Sequence, residues 1–198
     1  MVTAPRVGVL ALQGDVREHA RVLGDLGAEV VLVRRPDELA SVDGLVLPGG
    51  ESSVIDKLAR AFDMQGPIRD AIAAGMPMYG TCAGMILLAD RILDGIVGQQ
   101  TFGGIDVTVR RNAFGGQVES FETILDVPAL GTEPVVAAFI RAPLVVEAGP
   151  GVDVLASVPA GAVAVAQGGL LATAFHPEVS GDRRFHRMFL DRVRSRAV

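Results

Sequence analysis

Short, almost wholly apolar runs alternate with helix-period stretches through the first half of this chain. That alternation restricts the possible folds more than any other feature. Val7-Gly8-Val9-Leu10-Ala11-Leu12 is a near-continuous apolar run, as expected of a strand buried on both faces. From Asp15 to about Leu26, residues Val16, Ala20, Leu23 and Leu26 recur at helical spacing, and Gly27 closes the helix. Ala28 to Val33 reads as a second strand and Gly44 to Leu47 as a third, ending at Pro48-Gly49-Gly50. Ser52 or Ser53 caps a helix running to about Ala61, and Pro67 starts another running to Ala74. Met76 to Tyr79 then leads as a strand towards Cys82, and a helix-like run from Met85 to Asp90 follows. This succession predicts an α/β fold: a doubly wound, mostly parallel sheet flanked by helices.

The second half changes character. Ile105 to Arg110 alternates with period two, and Phe121 to Val127, Val135 to Ile140, Leu144 to Glu147, Val154 to Val158 and Ala162 to Ala166 are further short strands. Leu170 to Phe175 is a last apolar strand running into His176. Phe185, Met188, Phe189 and Val193 mark a final amphipathic helix with a basic outer face. The β-rich stretch reads as an antiparallel extension of the sheet. No stretch rich in Pro, Gly or Ser divides the chain, so residues 1–198 are expected to form one domain, and 198 residues suffice for one sizeable core.

Composition excludes several classes of function. A net charge of −5 and the absence of tryptophan argue against a nucleic-acid-binding surface. No apolar run of about 18 residues is available to span a membrane, and Met1 to Arg6 lacks the pattern of a signal peptide. The single cysteine cannot form an internal disulfide, which points to a reducing, cytoplasmic setting and a free thiol. With one cysteine and three scattered histidines, neither a metal site nor a cofactor site is expected.

That cysteine, Cys82, stands in Gly80-Thr81-Cys82-Ala83-Gly84, between an apolar strand and a helix. This is the layout of a nucleophile elbow with sulfur in place of a serine hydroxyl. The helix N-terminus favours a thiolate, and the flanking glycines permit a tight turn and a close substrate. The N–H of Ala83, the residue after the nucleophile, would face a developing oxyanion. Downstream, His176-Pro177-Glu178 offers an imidazole and a carboxylate two residues apart, on one side of an extended segment that Pro177 keeps out of the helical region. Cys82, His176 and Glu178 together specify nucleophilic acyl chemistry. Pro48-Gly49-Gly50-Glu51-Ser52 exposes backbone amides suited to an anion or an oxyanion, or serves only as a turn and helix cap. Of the other histidines, His186 is expected to be solvated on the basic face of the last helix, and His19 to pack or to meet a partner.

Elbow, His-Pro-Glu and Pro-Gly-Gly occur here in the order that resembles class I (triad) glutamine amidotransferases, whose fold is flavodoxin-like. Within that family, Leu12-Gln13-Gly14 with Glu18-His19, Gly49-Gly50-Glu51-Ser52, Arg111-Asn112-Ala113-Phe114-Gly115 with Gln117, Ser120-Phe121-Glu122 and Phe139-Ile140-Arg141-Ala142-Pro143 are similar to glutaminase subunits of pyridoxal 5′-phosphate synthases. The resemblance runs from about Val7 to Phe189. Gly116, Arg110 and Ala166 depart from the family's usual residues. The resemblance implies that Cys82 attacks the side-chain amide of L-glutamine, that His176 moves protons and that Glu178 orients it. It further implies that Gly49, Gly50, Glu51, Arg111, Ile140 and Arg141 bind glutamine, with the N–H groups of Gly50 and Ala83 as oxyanion donors. An arginine suits the α-carboxylate of glutamine. Ammonia would pass to a separate synthase subunit in a hetero-oligomeric complex, and docking there would activate the glutaminase.

Two rivals remain at this stage. One is a glutaminase serving another synthase, such as imidazole glycerol phosphate synthase, with the same triad and a different partner. The other is a non-catalytic flavodoxin-like binding module whose thiol is structural or redox-active.

Overall fold

A computed structural model describes residues 4–114 and 120–196. Gly115, Gly116 and Gln117 of the sequence motif lie outside the described residues. The chain opens with β1 (Arg6–Leu10), α1 (Val16–Asp25), β2 (Glu29–Val33), a short α2 (Pro36–Leu39) and β3 (Gly44–Leu47). Next come α3 (Ser52–Ala61), α4 (Gln65–Ala73), β4 (Met78–Thr81), α5 (Ala83–Leu88) and β5 (Ala89–Leu93). The second half holds β6 (Ile105–Arg110), β7 (Ser120–Leu125), β8 (Val135–Ile140), β9 (Leu144–Ala148), β10 (Asp153–Val158), β11 (Gly161–Gln167) and β12 (Leu170–Thr173). It ends with α6 (Pro177–Ser180) and α7 (Arg184–Arg196).

Among the described residues one ten-stranded sheet runs β2-β1-β3-β4-β12-β11-β9-β6-β5, with β10 paired to β11. The five strands from β2 to β12 are mutually parallel, and antiparallel pairing begins between β12 and β11. β3 and β4 are fully buried along their length, which matches the uninterrupted apolar sequence of β3. The expected mostly parallel sheet with an antiparallel extension is therefore present. Part of the β-rich half behaves differently: β7 and β8 form a separate two-stranded antiparallel ribbon. In β8, Val135, Ala137 and Phe139 face inward, and Phe139 stacks on Phe121 at 4.9 Å and meets Phe175 at 5.5 Å. That aromatic seam fastens the ribbon to the core and brings Ile140 and Arg141 over the ends of β4 and β12.

Several element boundaries differ from expectation. The helix after Cys82 stops at Leu88, and Ala89–Leu93 becomes β5, parallel to β6 at the sheet edge. Pairing with β6, reinforced by the Arg91–Asp106 ion pair at 2.8 Å, prevails over local helix preference there. Glu51, rather than Ser52 or Ser53, caps α3, because its carboxylate accepts from the Ser53 N–H at 3.4 Å. α4 opens at Gln65, before Pro67, which a first turn tolerates because its N–H groups have no helical partner. His176 leads directly into α6, so Glu178 lies in a helical turn and not in an extended segment.

Candidate active site

The loops that leave the carboxyl ends of β1, β3, β4 and β12 converge, as ligand-binding loops do in open α/β sheets. β1 delivers Gln13 and Asp15, β3 delivers Gly49 to Ser52, β4 delivers Cys82 and β12 delivers His176. Gln13, Asp15, Gly50, Glu51, Ser52, Cys82 and His176 line a cavity of about 280 Å3 with Ala83, Ile86, Arg111, Asn112, Ile140 and Arg141. A larger open groove of about 700 Å3 lies at the other end of the sheet, against α7, and has neither cysteine nor histidine among its lining residues.

Cys82 sits at a sharp turn with φ 49° and ψ −101°, a conformation that costs a side-chain-bearing residue energy. Its N–H donates to Thr173 O at 2.8 Å and its carbonyl accepts from Ile86 N–H, so the sheet and α5 together hold the turn. The glycines on either side make it possible. A methyl group on Gly84 would strike the Leu47 carbonyl, and one on Gly80 would strike the backbone of Gly84. Ala83 opens α5, so its N–H has no intrahelical partner. The Cys82 sulfur lies 4.0 Å from Ile140 O.

His176 Nδ1 lies 2.8 Å from Glu178 Oε1, and Glu178 is buried. The backbone N–H of His176 donates to Ala138 O at 3.1 Å, which ties it to β8. A second carboxylate also reaches this nitrogen: Asp15 Oδ2 stands 3.3 Å away. Burial pulls the His176 pKa down, but hydrogen bonding to Asp15, Cys82 and Glu178 outweighs burial and pushes it up to about 12. Burial in turn pushes the Glu178 carboxyl upward, against the pull of His176. The sequence pointed to Asp15 only as the start of a helix. The structure shows that its carboxylate makes no capping hydrogen bond and turns to His176 instead.

Asp15, His176 and Glu178 could in principle ligate a metal, since their ligand atoms lie within 4.8 Å of one another. The shared imidazole nitrogen already bonds Glu178 at 2.8 Å. Gly49 stands behind the cavity rather than in its lining. A side chain there would fall 2.6 Å from His176 Cε1, so its role in this geometry is to admit the ring. On the opposite wall, Glu51 Oε1 accepts from Arg111 Nη2 at 2.7 Å, and Gln99 Oε1 accepts from Arg111 Nη1 at 3.0 Å. The Glu51 N–H donates to Gln13 Oε1 at 2.8 Å. Arg141, held at φ 43°, forms no ion pair among the described residues.

His186 departs from expectation. It is fully buried, not solvated, with its ring edge-on to Tyr79 at 5.3 Å. His19 is buried as well, 2.9 Å from His186 and 3.0 Å from Thr81. Two imidazoles spaced on helices that pack together leave no trace in either helix's own periodicity.

A cysteine at a strained elbow, a histidine–carboxylate pair and a wall of charged side chains meet at the carboxyl edge of a parallel sheet, the layout that covalent acyl chemistry requires. The chain belongs to the SNO glutamine amidotransferase family, whose family model matches residues 9–195. It is 66% identical over 197 residues to the pyridoxal 5′-phosphate synthase subunit PdxT of Leifsonia xyli subsp. xyli, covering 99% of this chain and 100% of that one. It is 63% identical to the subunit of the same name from Clavibacter michiganensis subsp. michiganensis, covering 96% and 91%. Among solved structures, one described as a glutamine amidotransferase superposes with a TM-score of 0.87 at 46% identity, covering 94% of this chain and 98% of that one. No helix of the described residues is long and apolar enough to cross a membrane.

Proposed function

We propose that this chain hydrolyses L-glutamine to glutamate and ammonia through Cys82, His176 and Glu178, and passes the ammonia to a pyridoxal 5′-phosphate synthase subunit. Glutamine enters the cavity with its α-ammonium towards Glu51 and its α-carboxylate towards Arg111 and Arg141. The backbone at Gly50 and Ile140 completes its contacts. The Cys82 thiolate attacks the side-chain carbonyl carbon, and the N–H groups of Gly50 and Ala83 hold the resulting oxyanion. Imidazolium His176 gives its proton to the departing nitrogen, ammonia leaves and a glutamyl thioester remains. His176, now neutral, takes a proton from water as that water attacks the thioester. Glutamate departs and the thiolate–imidazolium pair is restored. Glu178 holds the imidazole through Nδ1 throughout, so the other nitrogen serves the reaction.

The observation that carries this reading is the placement of Cys82, at a strained turn, in one small cavity with a His176 bonded to Glu178 at 2.8 Å. The curated relatives bear the name of a pyridoxal 5′-phosphate synthase subunit, which supports that partner over imidazole glycerol phosphate synthase. The family match over residues 9–195 supports a single glutamine amidotransferase domain. A buried free thiol suits the reducing cytoplasm.

The test is glutamate release from glutamine, measured for the chain alone and with the synthase subunit. Turnover should be low alone and rise on addition of the synthase, and Cys82→Ala should abolish it in both settings. Equal turnover with and without synthase at saturating glutamine would refute the coupling. Activity surviving in Cys82→Ala would refute the mechanism.

A further inference from the structure

Behind the triad lies a chain of polar groups that the reaction above does not use. His19 on α1 and His186 on α7 are both fully buried. His19 Nδ1 lies 2.9 Å from His186 Nε2, and His19 Nε2 lies 3.0 Å from Thr81 Oγ1 and 3.6 Å from Glu178 Oε1. Thr81 directly precedes the nucleophile. His186 Nδ1 and Glu178 Oε2 are buried without a hydrogen-bond partner among the described residues. Burial pulls both imidazole pKa values down, His19 well below its ordinary value and His186 to about 4, so both rings are neutral at pH 7.

A neutral imidazole carries one proton, so the contact between the two rings needs one donor and one acceptor. Two arrangements satisfy it. If His19 Nδ1–H donates to His186 Nε2, the His186 proton sits on Nδ1 as a buried N–H with no acceptor. If His186 Nε2–H donates to His19 Nδ1, the group left over is a bare lone pair on His186 Nδ1. Orphaned buried N–H groups are rare because a stranded donor loses its water without compensation, so the second arrangement is favoured. It places the proton of His19 on Nε2, the nitrogen beside Thr81 and the Glu178 carboxylate.

We infer that His186 holds His19 in its Nε2–H tautomer, and that His19 is thereby a positioning residue for Glu178, presenting an N–H to Thr81 Oγ1 and to the carboxylate edge that binds His176. The inference rests on the reading of Glu178 as the triad acid. Its consequence is that α1 and α7 both fix the carboxylate that fixes His176, and that the residue before Cys82 is tied into the same chain. Glu178 has one oxygen on His176 and one without a partner. The His19 N–H dipole, 3.6 Å from the shared oxygen, favours the carboxylate orientation that holds His176.

The experiment uses the full chain together with the synthase subunit and reads glutaminase kcat and KM. Gln at position 19 places an amide N–H near the Nε2 position, whereas Asn reaches only the Nδ1 position. His19→Gln should keep kcat within about threefold of wild type, and His19→Asn should lower kcat roughly tenfold with KM for glutamine unchanged. Equal kcat in the two variants overturns the inference. Nitrogen-15 NMR of the wild-type histidines should show the proton on Nε2 in both His19 and His186. A protonated Nδ1 on His19 overturns the inference even if a variant fails to fold. Glu178→Gln separates the two readings. Near-normal activity in that variant would remove Glu178 from the triad, whereas its loss alongside equal His19 variants would remove only the positioning role.

Discussion

Asp15 shows how a single side chain alters the chemistry of this site. It is partly exposed, lines the cavity and stands 3.3 Å from His176 Nδ1, on the nitrogen that Glu178 already holds. Hydrogen bonding to Asp15 is the foremost of the influences that raise the His176 pKa to about 12 against the downward pull of burial. A proton held that firmly is available to ammonia only if the site weakens its hold as the reaction proceeds. Removing the Asp15 charge should loosen it. Asp15→Asn removes an influence that raises the pKa, so the His176 pKa falls and the alkaline limb of kcat/KM moves to lower pH. Profiles carried up to about pH 12 on wild type and variant check this. An unshifted alkaline limb would mean that Glu178 and Cys82 alone set the titration.

Elements, more than residues, decide where the elbow can form. α5 must start so close to the end of β3 that a methyl on Gly84 strikes the Leu47 carbonyl, whereas one on Gly24, in α1, meets nothing within 4 Å. Gly84→Ala should therefore destabilise the fold by about 1–3 kcal/mol through overpacking and lower activity by moving Cys82. Gly24→Ala should raise stability by up to about 0.5 kcal/mol, less than for a glycine in mid-helix because Gly24 lies in the last turn of α1. Denaturant midpoints of the two variants make the comparison. The pattern around Gly84 was legible in the sequence because strand, turn and helix each carry a local signature there. β5 was not, because Ala89–Leu93 follows a helix without a break and becomes a strand only through its ladder with β6. The two strands of the β7–β8 ribbon were readable as short strand candidates, but nothing local distinguishes a separate ribbon from an extension of the main sheet. Cys82, His176 and Glu178 were legible because each sits in a short motif. Asp15 and the His19–His186 pair were not, since their meaning lies in contacts between α1, α6 and α7 that periodicity does not encode.

Across the whole molecule, the parallel strands gather polar chemistry at one end of the sheet, and two sets of histidines there respond to pH in opposite senses. His176 is raised in the folded state to about 12, so the stability it contributes is fully present below pH 6.5 and is lost only as pH climbs towards 12. His186 is lowered to about 4 by burial, so its contribution is present above pH 6.5 and is lost as pH falls through that interval. A displacement from 6.5 to about 4 corresponds to about 3 kcal/mol between the two ends of the window. Glu178, raised by burial, works against this loss over the acid range, so the net slope of the wild type does not isolate His186. A comparison with His186→Gln does, because glutamine keeps a donor near the Nε2 position and cannot titrate. Unfolding free energies should fall less steeply between pH 7 and pH 5 in the variant than in the wild type, by about 2 kcal/mol, whatever the variant's stability at pH 7. Parallel pH dependences would mean that His186 takes up its proton in the native core over the same pH range as in the unfolded chain. His186 Nδ1, which has no partner among the described residues, would then carry an unpaired buried N–H, and the hydrogen-bond direction from α7 to α1 would lose its basis.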